Sequence, residues 1–325
     1  MERSRDGKGE TCRSRRVEGS DAFSSERILV LNPASGNRDH APAVESRAVE
    51  HGFQVHETTE RGDAEQIARL AANAGVSVIA VAGGDGTVHE VVAGLYDVGA
   101  LAEVDCAVVP AGTANVFARR LGIADIEEGF RTIERAETRR FDVGVANDEP
   151  FVGTCLVGVT AEANTTTTDE AKRRLGVFAY ARTALRLLSD YEGRPLRVTI
   201  RDEKRATDDR WSGDVFLLLV GNAAGFPAFR GLAATNPEDG RFDVLIVEDR
   251  PTADLLDPRT MARLFDDGPI TRREGSALTI AARRSDSVPF SLDGELRLAT
   301  EIEVRMLAQR LSVYVGRDYD LVSDY

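Results

Sequence analysis

Apolar and polar positions follow two rhythms along this chain, and the rhythm changes near residue 140. Before that point, short apolar runs alternate with amphipathic helical stretches. A strand opens at Ile28, a helix spans about 43–51, a strand 54–58 and a helix 64–74. Val78, Ile79 and Val81 are β-formers and predict a buried strand. Val88, Val91, Val92 and Leu95 then recur at helical spacing, and strand and helix follow once more across 106–121. This alternation predicts a doubly wound α/β domain over 27–140. From Phe141 the apolar runs are short strands, at 151–159, 196–200, 215–220, 242–247, 277–281 and 301–307. They predict a second domain rich in β-sheet over 141–305. Residues 1–26 are rich in Ser, Arg and Glu without periodicity and are expected to be a disordered tail; a start codon assigned too early would look the same.

The turns between the first strands carry the chemistry. Gly83, Gly84, Asp85, Gly86 and Thr87 lie between a strand and a helix. Glycines there permit positive φ and let a ligand approach the backbone. The free N–H groups of the new helix point into the same loop, which makes it a ready anion site, and a phosphate is the common anion. Asp85 is misplaced in such a site unless a metal or a proton transfer needs it, or unless it is simply an N-cap at a structural corner. Two further turns repeat the grammar: Asn32, Pro33, Ser35 and Gly36, then Gly112, Thr113 and Asn115 after the strand ending at Pro110. In an open parallel sheet the three turns share the edge where ligands bind. They are expected to form a nucleotide site, with Asn32 and Asn115 offering amides and Thr87 and Thr113 hydroxyls. Asp293 and Gly294, between alternating residues, read as a hairpin turn that can also present a carboxylate as a general base.

These turns resemble the nucleotide-binding motifs of the lipid kinases of the diacylglycerol kinase and sphingosine kinase type, in order and spacing. The resemblance runs from Arg27 nearly to the C-terminus. It includes Phe141, Asp142 and Gly144, the run 176–180, Gly221 with Asn222, Asp239, Gly240 and Asp243, and the segment 291–295 reading SLDGE. It implies an NAD kinase-like first domain, an active cleft between the two domains, and residues 306–325 packing back on the first. It further implies ATP as phosphoryl donor, Mg²⁺ as cofactor, and a diacylglycerol-like or long-chain lipid alcohol as acceptor. Asp293 would be the base and Asp85 catalytic. Pro33, Gly83, Glu90, Gly294 and Glu295 would join the nucleotide site, while Asp239 and Asp243 would hold a structural Mg²⁺. The chain departs from the pattern at Val116, where bacterial diacylglycerol kinases commonly have an acid, at 153–155, and at 223–227. His89 stands where many members have Asn and is read as structural. An NAD kinase shares the GGDG turn, although 110–115 and 291–295 favour the lipid family. A non-catalytic nucleotide or lipid sensor is the reading from another class.

Composition narrows the setting. Net charge is −13, and only Lys8, Lys172 and Lys204 of the 41 basic residues are lysines. That suits a salt-adapted surface or an Arg-favouring genome, and it argues against a nucleic-acid partner, which needs a concentrated basic face. Three cysteines, Cys12, Cys106 and Cys155, are too few and scattered for a disulfide framework or zinc site. No apolar run reaches membrane-span length, so a cytoplasmic protein with transient contact at the inner membrane face is expected, with homodimerisation left open. The stretch 169–189 carries Leu175, Phe178, Leu185 and Leu188 beside Arg173, Arg174, Arg182 and Arg186. An amphipathic helix with a solvated basic face is preferred there over a lip for anionic headgroups.

Overall fold

The computed structural model describes residues 23–36, 38–158, 193–203, 205–222, 236–248, 270–283 and 287–319. The amphipathic stretch 169–189, the motif at 176–180 and the departures at 223–227 lie outside them. So do most of the tail, 1–22, and residues 320–325.

The first half alternates as its pattern dictates: β1 (Arg27–Leu31), α1 (Ala41–Glu50), β2 (Gln54–Glu57), α2 (Asp63–Asn73), β3 (Val78–Gly83), α3 (Asp85–Asp97), β4 (Asp105–Pro110), α4 (Val116–Arg120) and α5 (Ile126–Arg135). The four strands are parallel in the order β4-β3-β1-β2. Successive residues of β1 serve opposite faces, as strand geometry requires. Ile28 and Val30 pack with α2, α3 and α4, whereas Leu29 and Leu31 pack with α1 and α5. Burial on both faces explains why β1 and β3 read as unbroken apolar runs. The helix expected after Asn115 is a short α4, ended at Gly122 with φ +73°; α5 follows, capped by Asp125, which accepts the Glu128 N–H at 2.8 Å. Residues 23–26, placed with the tail from sequence, are tied down: Ser24 N–H donates to the Gln54 side chain and Ser77 N–H to the Glu26 carbonyl.

The second half is β-sheet: β5 (Thr138–Ala146), β6 (Glu149–Phe151), β7 (Thr154–Gly158), β8 (Arg194–Asp202), β9 (Thr207–Gly221), β10 (Phe242–Glu248), β11 (Ile270–Gly275), β12 (Ala277–Ala282), β13 (Val288–Leu292), β14 (Glu295–Ala299) and β15 (Glu301–Tyr314). Its core is separate, with Phe151 stacked on Phe242 at 5.7 Å. The single strand expected over 151–159 is broken into β6 and β7, because the N–H groups of Val152, Gly153 and Thr154 turn to a side-chain acceptor, Asp293. The strand expected over 301–307 runs on to Tyr314. A bulge between Leu307 and Leu311 redirects it, with Gln309 at φ 54° donating its N–H to Asp142. Beyond the bulge Val313 pairs in parallel with Cys106 of β4, and Leu311, Val313 and Val315 enter the α/β core. β15 therefore joins the two halves into one mixed sheet.

Candidate active site

The three polar turns meet through glycine. A Cβ on Gly36 would lie 2.5 Å from the Ala111 carbonyl oxygen, and one on Gly112 would lie 2.4 Å from the Gly84 Cα. No real side chain tolerates those contacts, so the glycines let the loops touch. Asn32 ties two turns together, its Nδ2 donating to Thr87 Oγ1 at 3.0 Å while its Oδ1 accepts the Ala34 N–H. Thr87 fills the space left by Gly83. Gly86 differs from the rest. A Cβ there would meet nothing within 4 Å, so packing supplies no reason for glycine in the first turn of α3. That helix has no side-chain cap at Gly84, which leaves first-turn N–H groups for solvent or a ligand.

These turns wall a cavity of about 510 Å³, lined by Asn32, Ala34, Ser35, Gly36, Thr58, Thr59, Glu60, Arg61, Gly84, Gly86, Thr87, Glu90, Gly112, Thr113 and Glu295. Ten of the residues singled out from sequence are in that wall. Pro33, Gly83, Asp85, Asn115, Asp293 and Gly294 are not. Asp85 is turned away to α4, where its carboxylate accepts the N–H groups of Val116 and Phe117 at 3.1 and 2.9 Å. It therefore caps a helix, the neighbouring one and not its own. Asn115, at φ 48°, folds its amide back on Gly112, accepting one bond and donating another. Its amide shapes the third turn and is not offered to the cavity.

Asp293 sits at the β13–β14 hairpin turn, at φ 48°, followed by Gly294 at φ 94°. The turn expected there occurs, and its carboxylate is 6% exposed and lines neither cavity. Oδ1 accepts the N–H groups of Gly153 and Thr154 at 2.8 and 2.9 Å, and Oδ2 that of Val152 at 2.9 Å. His89 of α3 approaches the same Oδ2 with Nδ1 at 3.3 Å and Glu149 Oε1 with Nε2 at 3.5 Å. Arg297 of β14 closes the chain with two bonds to Glu149. Burial pushes His89 down, but hydrogen bonds and charge from Asp293 and Glu149 outweigh it and raise its pKa to about 9. Burial likewise pushes Glu149 up, but His89 and Arg297 hold it at about 2. His89, Glu149 and Arg297 line a second cavity of about 360 Å³, which shares Arg61, Gly86, Glu90 and Glu295 with the first. A cleft between the two halves thus runs from the glycine turns to the Asp293 hairpin.

Residues 26–146 match the diacylglycerol kinase catalytic domain, and residues 153–315 match the YegS C-terminal NAD kinase beta sandwich-like domain. A diacylglycerol kinase of Bacillus subtilis is 30% identical over 278 residues, covering 82% of this chain and 88% of that protein. The chain belongs to the diacylglycerol kinase and YegS-like family of lipid kinases. A Chromohalobacter salexigens relative named "Probable lipid kinase YegS-like" is 28% identical, over 82% of this chain and 86% of its own. A solved diacylglycerol kinase of Bacillus anthracis superposes with a TM-score of 0.66 at 20% identity, covering 92% of this chain and all of that one; that likeness bears on the fold.

In this lipid kinase family member the acids expected to hold Mg²⁺, Asp239 and Asp243, line neither cavity. Asp239 accepts the Arg241 N–H at 2.9 Å, and the adjacent Gly240 N–H is taken by buried Asp142 at 2.6 Å. Asp243 is raised to about 7 by burial and by the charges of Glu274 and Asp239. Among the described residues no group of three or more His, Cys, Asp or Glu side chains comes together, so Asp239 and Asp243 stand there as two carboxylates outside both cavities. The sequence reading took His89 as structural and did not single out Glu149, Arg297 or Arg61. For His89 a signal existed. Gly86, His89, Glu90, Ala93 and Asp97 fall on one stripe of α3, opposite its apolar face, and all five line the second cavity. Glu149 and Arg297 carry no sequence signal, since paired charges on short strands look like any solvated surface.

Proposed function

We propose that the protein transfers the γ-phosphoryl group of ATP to the hydroxyl of a diacylglycerol-like or long-chain lipid alcohol. The observation that carries this reading is the cavity walled by three glycine turns at the uncapped start of α3, with Glu295, two residues from Asp293 in the β13–β14 hairpin, in its wall. Gly84 and Gly86 would take the phosphates through backbone N–H groups, and Thr113 with Ser35 would add hydroxyl bonds. The acceptor hydroxyl would give its proton to Asp293 as its oxygen attacks the γ-phosphorus, while the β–γ bridging oxygen leaves with ADP. Both oxygens of Asp293 are engaged and the side chain is 6% exposed, so the hydroxyl would approach Oδ2 beside the long His89 contact, which stays in place. Mg²⁺ would supply charge neutralisation on the phosphates. Asp85 and Asn115 are assigned to holding the loops. No helix among the described residues is long and apolar enough to cross a membrane, so the lipid would be met at a membrane surface by transient contact.

The test is transfer from γ-³²P-ATP with Mg²⁺ to diacylglycerol, a sphingoid base, an ether-lipid alcohol and NAD in parallel. Label in an organic-extractable product supports the proposal. Label in NADP would overturn it in favour of the related NAD kinase chemistry, and no transfer despite ATP binding would leave a sensor.

A further inference from the structure

His89 joins the two halves of the molecule. It belongs to α3, whose first turn carries Gly86, and it touches Asp293 of the β13–β14 hairpin and Glu149 of β6. The imidazole is 7% exposed, and both of its nitrogens face carboxylate oxygens, at 3.3 and 3.5 Å. A neutral imidazole has one N–H and would turn its bare nitrogen toward one of those carboxylates, lone pair against lone pair; only the imidazolium donates to both. The surrounding groups favour the cation. Glu65 of α2, Glu90 and Asp97 of α3 itself, Asp148 of the turn before β6 and Glu295 of the hairpin line the same cavity as His89; Arg61 and Arg297 are the cations of that wall. Arg297 is already committed to Glu149, and Arg61 pairs with Glu295.

We propose that His89, as an imidazolium, is the positioning residue that fixes the Asp293 carboxylate against the α3 phosphate loop, so that one proton clasps the two halves in their transfer geometry. The role in transfer rests on the reading of Asp293 as the base. His89 acts through Asp293 and Glu149: it holds Oδ2 where the acceptor hydroxyl must arrive, and it shares the rigid helix that begins with the phosphate turn. Loss of the proton leaves one carboxylate facing a bare nitrogen, and the hairpin is then free to shift relative to α3. A shift of about 1 Å between reacting groups costs on the order of 100-fold in rate. The raised affinity of His89 for its proton, held to about 9, agrees with the geometry.

The test uses the full chain and has two independent readouts. Long-range ¹H–¹⁵N spectra follow the four imidazoles with pH, with His89→Gln identifying the His89 signals. The expected result is an His89 that stays doubly protonated through about pH 8, titrates near 9, and titrates lower in Glu149→Gln. An His89 titrating at or below its ordinary value of 6.5 overturns the proposal. If His89→Gln does not fold, the imidazole whose titration moves down in Glu149→Gln identifies His89, and the lack of any high-titrating imidazole that moves overturns the proposal. The second readout is the pH profile of transfer. Wild-type kcat should fall as pH rises through about 9, and His89→Gln should lose on the order of 10- to 100-fold in kcat with the KM for ATP little changed and no such alkaline limb. Unchanged kcat, or the same alkaline limb in His89→Gln, overturns the positioning role. A high titration with no acceptor phosphorylated would defeat the lipid kinase reading and leave the protonated clasp standing. Lipid phosphorylation with an ordinary His89 titration would do the reverse.

Discussion

Gly86 and Gly112 lie on facing turns and are glycine for opposite reasons. At Gly112 a Cβ would strike the Gly84 Cα at 2.4 Å and Asn115 Oδ1 at 2.8 Å, so Gly112→Ala should cost ~1–3 kcal/mol of stability as overpacking. At Gly86 the space is open. Gly86→Ala should keep the melting temperature or raise stability by up to ~1 kcal/mol, the helix-propensity gain, while weakening ATP binding. Thermal unfolding and ATP titration calorimetry on the two variants check the pair. Asp293→Asn should not be a clean removal of chemistry. An amide keeps one acceptor oxygen and sets an NH₂ where a carboxylate oxygen met an N–H donor. It should therefore destabilise by ~1–3 kcal/mol, seen as a lower unfolding midpoint, besides abolishing transfer. At this scale the glycines were legible as turn formers, but not which of them spare a ligand and which spare a neighbouring loop. The clashing atoms come from other turns, and their distance is invisible in one strand-turn-helix unit. The same holds for Asp85, whose oddness in an anion site was legible, while its partners, the N–H groups of Val116 and Phe117, depend on how α4 packs on α3.

Among the elements, α3 carries most of the site. Val88, Val91, Val92 and Leu95 bury one face in the α/β core, and the opposite stripe faces the cleft with His89 in its middle. Because His89 is held to about 9 in the folded protein against 6.5 unfolded, its contribution to stability is full below about pH 6.5 and is lost as pH rises through about 9. Glu149, held at about 2 against 4.5, works in the other direction: its contribution is full above about pH 4.5 and is lost as pH falls through about 2. Denaturant midpoints measured across pH should therefore decline on both sides, and His89→Gln should flatten the alkaline decline. The sequence rhythm made the α/β elements legible because each strand is buried on both faces and each helix shows a stripe. It missed the break between β6 and β7. Apolar periodicity runs straight through Val152, and the cause of the break is an acid 141 residues further along the chain. It also stopped β15 at 307, where the bulge at Gln309 interrupts alternation before the strand enters the other core.

For the whole molecule, β15 and the contacts of His89 tie the three glycine turns and the Asp293 hairpin into one frame, with Arg61 and Glu295 paired across the mouth of the cleft. If Mg²⁺ enters with the nucleotide, as proposed, Mg²⁺ alone should leave the melting temperature unchanged, whereas Mg²⁺ with ATP should raise it. A chelator should abolish transfer without unfolding the chain, which activity and circular dichroism on one sample would show. The measurement that tests the central claim most directly is phosphoryl transfer from γ-³²P-ATP to diacylglycerol, a sphingoid base, an ether-lipid alcohol and NAD, at low and high salt because the chain carries a net charge of −13. Label in an organic-extractable lipid, reduced in Gly86→Ala although that variant folds, is the predicted result. Label in NADP alone, or none in any acceptor while ATP binds, would contradict it.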